Sequence, residues 1–259
     1  MRSGNNVIRI CNIFNDKENN MTWFYKSRWD EKNFADQYLE SAGICIPERR
    51  KQFEILKSFY IWFLGKKKGA ALLDLGCGDG AFVQGLLKIG KSMSATLVDG
   101  SDEMLSKARK RLSGFKGITF VKTSFQELLH KDVVFSSFDF IVSSLAVHHL
   151  TLKEKKALFE YAYLHLNKGG YFVNMDVILS PTEDLEKWYL LLWKEYIGKK
   201  QKGLKLKNNY EDIVQQYKDS TDNKPDTLTA QLSALESVGF KEVDCFYKYG
   251  IFTIFGGKK

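Results

Sequence analysis

Cysteine is scarce and scattered in this 259-residue chain. Cys11, Cys45, Cys77 and Cys245 form no CxxC pair and have no histidine at metal-ligand spacing. A structural zinc site and a disulfide framework are both excluded, so no metal is expected and a reduced compartment is. Long apolar runs are also lacking. The run at residues 59–64, which no other exceeds, is far short of a membrane span. The first twenty residues, MRSGNNVIRICNIFNDKENN, hold no apolar stretch suited to export. The reading is a cytoplasmic chain without membrane contact. Hydrophobic residues at 44% and charged residues at 27% leave little room for extensive disorder. The net charge of +8 permits a polyanionic partner without requiring one.

Three regions follow from the changes of pattern. Residues 1–20 are polar and Asn-rich and read as a flexible tail. Residues 21–65 are aromatic-rich (Trp23, Phe24, Tyr25, Trp29, Phe34, Tyr38) and read as an N-terminal helical cap. Pro47 opens its second helix, where Phe53, Leu56, Phe59/Tyr60 and Phe63 recur at helical spacing and Gly65 ends the run. From residue 66 onward, buried strands alternate with helices. The strands are expected at AALLDL, 95–99, 118–122, 138–145 and 171–179, and Thr151 with Glu154 forms a capping box for helix 152–166. That alternation means a parallel sheet covered on both faces. Residues 180–226 interrupt it as a helical insertion, with a helix at 183–197, a lysine-rich link and a second polar helix. Helix 227–238 and two strands, 240–247 and 251–255, joined by a very short turn at 249–250 complete the domain, which makes the last strand antiparallel.

The most informative segment is Asp74-Leu75-Gly76-Cys77-Gly78-Asp79-Gly80. A turn after the first strand of such a sheet lies at the switch point, where ligands bind. Its GxGxG spacing differs from the GxGxxG of dinucleotide sites, and Asp74 would be poorly placed beside a pyrophosphate. Both features count against a dehydrogenase. The carboxylate suits a ligand carrying an ammonium and a sulfonium. Asp99, nineteen residues after Gly80, ends the second strand and can accept both hydroxyls of a ribose. Met104, one helical turn on, can pack on an adenine face.

LLDLGCGDGAF, LVDGSDEML and the NKGGYF turn together resemble the class I S-adenosylmethionine-dependent methyltransferases, over residue 70 to the end. The resemblance implies an α/β, Rossmann-like, seven-stranded and mostly parallel sheet with an antiparallel last strand. It also implies S-adenosyl-L-methionine as cofactor, with Asp74, Gly76, Cys77, Gly78, Asp99, Gly100 and Met104 around it. The C-terminal pattern LTAQLSALESVGFKEVDCFYKYGIFTIFGG resembles the branch that contains the tRNA wobble-uridine carboxymethyltransferase. That likeness adds Arg49 at the amino-acid end of the cofactor, Ser124 and Phe125 near adenine in place of an acid, and Ser144 late in the fourth strand. Gln216, with Lys218 beside it, stands where that branch holds a carboxylated cofactor with an arginine, which favours plain S-adenosylmethionine.

His148 and His149 follow the fourth strand, where this family borders the transferred methyl group, and either can take a proton from an acceptor. Capping or packing under helix 152–166 is the alternative for each. No Asn-Pro-Pro-Tyr stands there, which argues against amino-group methylation of adenine or glutamine. Trp29 and Tyr38, with Tyr25, line an acceptor pocket or pack the cap. The lysines at 199, 200, 202, 205 and 207 suit tRNA or a solvated loop, and few aromatics interleave them. The stripe at 185–196 reads as a lid, a homodimer face or a sheet cover. The expected activity is methyl transfer to a small molecule. A tRNA-modifying enzyme and a non-catalytic cofactor-binding regulator are the alternatives.

Overall fold

The computed structural model describes residues 28–89, 93–131, 136–204, 210 and 212–259. The proposed tail, Trp23, Phe24, Tyr25, Lys205 and Lys207 lie outside the described residues. Seven strands form one sheet: β1 (Ala71–Leu75), β2 (Ser94–Asp99), β3 (Ile118–Lys122), β4 (Phe138–Ser144), β5 (Leu166–Val177), β6 (Lys241–Tyr249) and β7 (Phe252–Lys258). Their order is β3-β2-β1-β4-β5-β7-β6. β1 runs parallel to both β2 and β4, and β7 runs antiparallel to both β5 and β6. This is the α/β Rossmann-like arrangement with an antiparallel last strand that the sequence pattern predicts.

Side chains alternate across the strands and build two layers. Leu72, Phe140, Val142 and Val173 face α2 (Arg49–Leu64), α3 (Ala81–Leu87) and α4 (Asp102–Leu112) through Leu56, Tyr60, Phe82, Leu86 and Leu105. Leu73, Leu75, Ile141 and Phe172 face α5 (Phe125–Lys131), α6 (Leu152–His165) and α9 (Leu228–Val238) through Leu128, Leu158, Ala162 and Leu235. A third cluster joins α1 (Lys32–Cys45), α7 (Glu183–Leu204) and α8 (Asp212–Asp219) at the far end of β5, with Ala42, Trp193, Ile197, Val214 and Phe252 buried together. The Trp193 indole N–H donates to the Cys45 carbonyl at 2.6 Å.

Several boundaries, and the burial of one residue, differ from the sequence reading; the last two strands run Lys241–Tyr249 and Phe252–Lys258, not 240–247 and 251–255. β5 starts at Leu166, not at 171, because the C-terminal residues pair with the Gly-Gly stretch: Gly169 N–H donates to the Lys259 carbonyl and Lys259 N–H to that of Gly170. α7 continues to Leu204, so Lys199, Lys200 and Lys202 sit on helix and not on a link; lysine is a good helix former and Ile197 anchors the turn before them. Phe63 is 45% exposed, since the buried stripe of α2 runs Gln52, Leu56, Tyr60, Leu64. The capping box of α6 is present: the Thr151 hydroxyl accepts from Glu154 N–H, and Glu154 accepts from Thr151 N–H at 2.8 Å. No described helix is long and apolar enough to cross a membrane.

One buried cation ties residues 180–226 to the sheet domain. Lys155 on α6 is fully buried, and its ammonium donates to the Leu150 carbonyl at 2.6 Å, to the Lys224 carbonyl and to the Asp226 carboxylate. Nearby, Leu179 N–H donates to the Asp226 carbonyl and Lys224 N–H to that of His148. Replacing Lys155 with Met strands three acceptors beside a buried site. Chemical denaturation of Lys155→Met is expected to show a loss of about 2–3 kcal/mol.

Candidate cofactor and acceptor site

The loop 76–80 follows β1, where strand order reverses between β2 and β4. Gly76 and Cys77 N–H groups both donate to the Val98 carbonyl, at 2.8 and 3.0 Å, which staples the loop to β2. Gly76 has φ 71°, and a Cβ there would lie 2.5 Å from that of Ala146, with the Phe125 ring 3.3 Å away. Gly78 has φ 53°, and a Cβ there would meet nothing within 4 Å. The first glycine therefore lets two loops touch, and the second leaves its backbone open to a ligand. Asp79 is occupied otherwise: it pairs with Arg111, accepts Ala81 N–H at 3.2 Å, and its carbonyl accepts from Arg111 Nε. Cys77 turns its thiol into the core, so only its backbone faces the loop's open side.

Three carboxylates gather beneath this loop. Asp99 accepts from Gly78 N–H at 2.8 Å with one oxygen and from Ser101 N–H at 2.9 Å with the other. Burial pushes its pKa up to about 6, against those two hydrogen bonds, which lower it. Asp74 on β1 is 1% exposed, and neither of its oxygens has a hydrogen-bond partner. Burial, then the charges of Asp99 and Asp79, raise its pKa to about 8. Two acids held this far above their usual range, beside an open glycine, suit a cationic ligand. Gly100 links Asp99 to Ser101, the N-cap of α4, whose side chain accepts from Met104 N–H at 3.1 Å; the Met104 side chain is buried. Ser124 is taken up as a cap, with its N–H and hydroxyl both bonded to Glu127. Phe125 lies over Gly76 and Ser144 ends β4, so both border the loop. Arg49, after a left-handed Glu48 at φ 51°, lays its guanidinium 4.6 Å over the Phe53 ring, and its buried Nε has no partner.

Beyond β4 the chain makes a turn of 3-10 helix, Val147–His149. His148 is 8% exposed; its N–H donates to one oxygen of Asp176 at 2.8 Å, and its Nδ1 lies 2.6 Å from the other. The adjacent His149 ring sits 4.1 Å away, with Nδ1 3.2 Å from the Asp222 carbonyl and Nε2 without a partner. Burial, then His148, pulls the His149 pKa down to about 3, so its imidazole is neutral. The Arg28–Asp30 turn crosses from the other side. The Trp29 carbonyl accepts from the Ser101 hydroxyl at 2.7 Å, and its ring stands 5.0 Å from Tyr38 and 6.2 Å from His149. Burial raises the Tyr38 hydroxyl to about 12, with Arg49 opposing and Asp79 and Asp176 adding to the rise. Tyr217 of α8 brings a buried, partnerless hydroxyl, raised by burial and then by Asp176.

The sequence candidates thus divide into two groups. Asp74, Gly76, Gly78, Asp99, Phe125 and Ser144 surround one loop; His148, His149, Trp29 and Tyr38 lie on its far side. Gln216 is exposed on α8 and Lys218 is paired to Glu186 at 2.9 Å, so neither stands in this group. Sequence reasoning missed Asp176 and Tyr217. An acid inside the buried run YFVNMDVIL was the available signal for the first. Nothing in the sequence marked the second, because its face of α8 is set by packing on Trp193. Among the described residues, no cluster could hold a metal ion.

Residues 72–170 match a family model described as a methyltransferase domain. Carboxy-S-adenosyl-L-methionine synthase of Nautilia profundicola is 23% identical over 86% of this chain and 88% of its own. The enzyme of the same name from Helicobacter pylori (strain G27) is 27% identical over 73% of this chain and 75% of its own. Among solved structures, an O-methyltransferase family protein from Burkholderia thailandensis superposes with a TM-score of 0.64 at 12% identity, over 98% of this chain and 68% of that one. Magnesium protoporphyrin IX methyltransferase from Synechocystis PCC 6803, with bound SAH, gives 0.61 at 12% identity, over 91% and 98%. Residues 72–170 therefore carry a methyltransferase domain, and the strand order and glycine loop around them are those of a class I S-adenosylmethionine-dependent methyltransferase fold.

Proposed function

We propose that the protein transfers the methyl group of S-adenosylmethionine to a small-molecule acceptor. The observation that carries this reading is the buried Asp74 and the half-buried Asp99, both with raised pKa values, beside a glycine with open space next to it. When bound, the cofactor supplies an electrophilic methyl carbon on a sulfonium. Asp99 accepts the ribose hydroxyls while keeping Gly78 and Ser101 in place. Asp74 balances the cofactor's positive charge through the loop. The Arg49 guanidinium takes the carboxylate of the amino-acid end, and Met104, Ser124 and Phe125 border the adenine. On the far side, His148 and His149 face the acceptor, and Trp29 and Tyr38 keep water from it. Residues 28–65 and the helices at 183–204 and 212–219 supply those walls. Lys199, Lys200 and Lys202 lie on the last turns of α7, with Lys199 beside Glu195. That placement supports a solvated helix end more than a tRNA grip.

Two glycine variants separate loop packing from ligand access. Gly76→Ala drives a methyl group into Ala146, so the variant is expected to lose stability in thermal melts. Gly78→Ala meets no atom and costs only about 1 kcal/mol for its left-handed backbone. Its cofactor affinity, read by calorimetry, is nonetheless expected to collapse, because the methyl fills the open space. Full binding by Gly78→Ala would refute the placement of the cofactor.

The raised acids give the pH dependence a definite sign. A carboxyl whose folded pKa exceeds its unfolded value favours the ligand-free fold at low pH. That contribution fades as pH rises from about 4 through the folded value. A cationic ligand binds the ionised forms, so affinity for S-adenosylmethionine is expected to fall by up to about tenfold per unit as pH drops below 8, where Asp74 protonates, and more steeply below 6, where Asp99 does too. His149, near 3, stays neutral over that range and contributes nothing. Calorimetry between pH 5 and 7 checks this; a flat affinity would remove Asp99 from the site.

A further inference from the structure

The two histidines after β4 are held differently, and the difference selects one of them. Asp176 on β5 is 1% exposed and spends its whole carboxylate on this turn. One oxygen accepts His148 N–H; the other lies against His148 Nδ1 and accepts Val177 N–H at 2.9 Å. The Thr253 hydroxyl, from the adjoining β7, donates to the Asp176 carbonyl at 3.0 Å and steadies the strand. A carboxylate at Nδ1 fixes the imidazole tautomer with its proton on that nitrogen. The lone pair of Nε2 is then left for another molecule, and Nε2 has no partner among the described residues. His149 has no such carboxylate: its Nδ1 meets only the Asp222 carbonyl.

We propose that Asp176 is the positioning residue that makes His148 Nε2 the proton acceptor, and that the methyl acceptor is a molecule with a weakly acidic hydroxyl, such as a phenol. This rests on the methyl-transfer reading above. The chemistry behind the choice is general. A carboxylate already carries the lone pair that attacks carbon, and an alkylammonium sheds its proton to water in a prior equilibrium, so neither needs a base held at the methyl group. A phenolic O–H does not ionise at neutral pH and gains from one. In the transfer, the oxygen supplies the pair for the new O–C bond, and its proton goes to His148 Nε2. The pair of the broken C–S bond stays on sulfur. The Trp29, Tyr38 and His149 rings beside the turn suit a planar acceptor, and the buried Tyr217 hydroxyl offers it a polar contact.

The test compares the parent protein with Asp176→Asn and His148→Gln. Transfer of labelled methyl from S-adenosylmethionine is measured to 4-methylcatechol, benzyl alcohol and benzylamine, with cofactor affinity by calorimetry alongside. The parent is expected to label the phenol ahead of the other two. Each variant is expected to lose about 100-fold or more in kcat while KM and cofactor affinity stay within a few-fold. Nitrogen-15 spectra of the histidines supply a readout independent of turnover: the Nδ1-protonated form of His148 should dominate in the parent and be lost in Asp176→Asn. Labelling of the amine ahead of the phenol, no labelled hydroxyl despite cofactor binding, or full activity in Asp176→Asn would each overturn the proposal. Failure to bind S-adenosylmethionine at all would strike the methyl-transfer reading itself, which keeps the two failures apart.

Discussion

The carboxylate of Asp99 is the joint on which the site turns. It spans from the end of β2 to the glycine loop after β1, with one backbone N–H on each oxygen. Those bonds hold Gly78 with its open face toward the cleft, and they hold Ser101 where it caps α4. Ser101 in turn carries the Trp29 carbonyl, which brings the Arg28–Asp30 turn across the site. Loop, helix start and N-terminal turn therefore all depend on one acid. Burial raises its pKa only to about 6, so it is ionised at neutral pH and offers its charge to a cation.

The other half of the site depends on an equivalent bond across the sheet, on β5. Asp176 does for the turn after β4 what Asp99 does for the loop after β1. Both acids lie at the carboxyl ends of their strands (Asp99 last in β2, Asp176 next to last in β5), both accept backbone N–H groups, and both fix a short segment there. The two segments pack closely at Gly76 and Ala146, with no room for a side chain on Gly76. Lys155 extends the assembly, because the segment it clamps also donates Lys224 N–H to the His148 carbonyl. Lys224 N–H on the His148 carbonyl and the Asp222 carbonyl at His149 Nδ1 thereby couple this segment to the histidine turn, beside the apolar cluster of α7 and α8.

Distance along the chain explains which features were legible beforehand. The strand alternation, the glycine spacing, the Thr151 capping box and the hairpin at 249–250 are local patterns, each complete within a few residues. Each matches an element of the structure. The boundaries that moved furthest were those where partners are remote. β5 gained five residues because residue 259 returned to pair with 169 and 170, and α7 ran on because Ile197 found a core built from α1 and α8.

The sequence by itself determined the sheet, its antiparallel end, the loop 76–80 and the acid at 99, because backbone conformation and two-sided burial are written in short-range residue patterns. Tertiary structure decided the rest. Only folding shows that Cys77 turns inward and that Ser124 is spent on Glu127. Only folding shows that Trp29 reaches Ser101 across 72 positions and that His148, not His149, meets a carboxylate 28 positions away. Adjacent histidines are equivalent in a sequence. They become different when one imidazole meets a buried acid and the other a carbonyl, since a proton's place on the ring is set by the partner it finds.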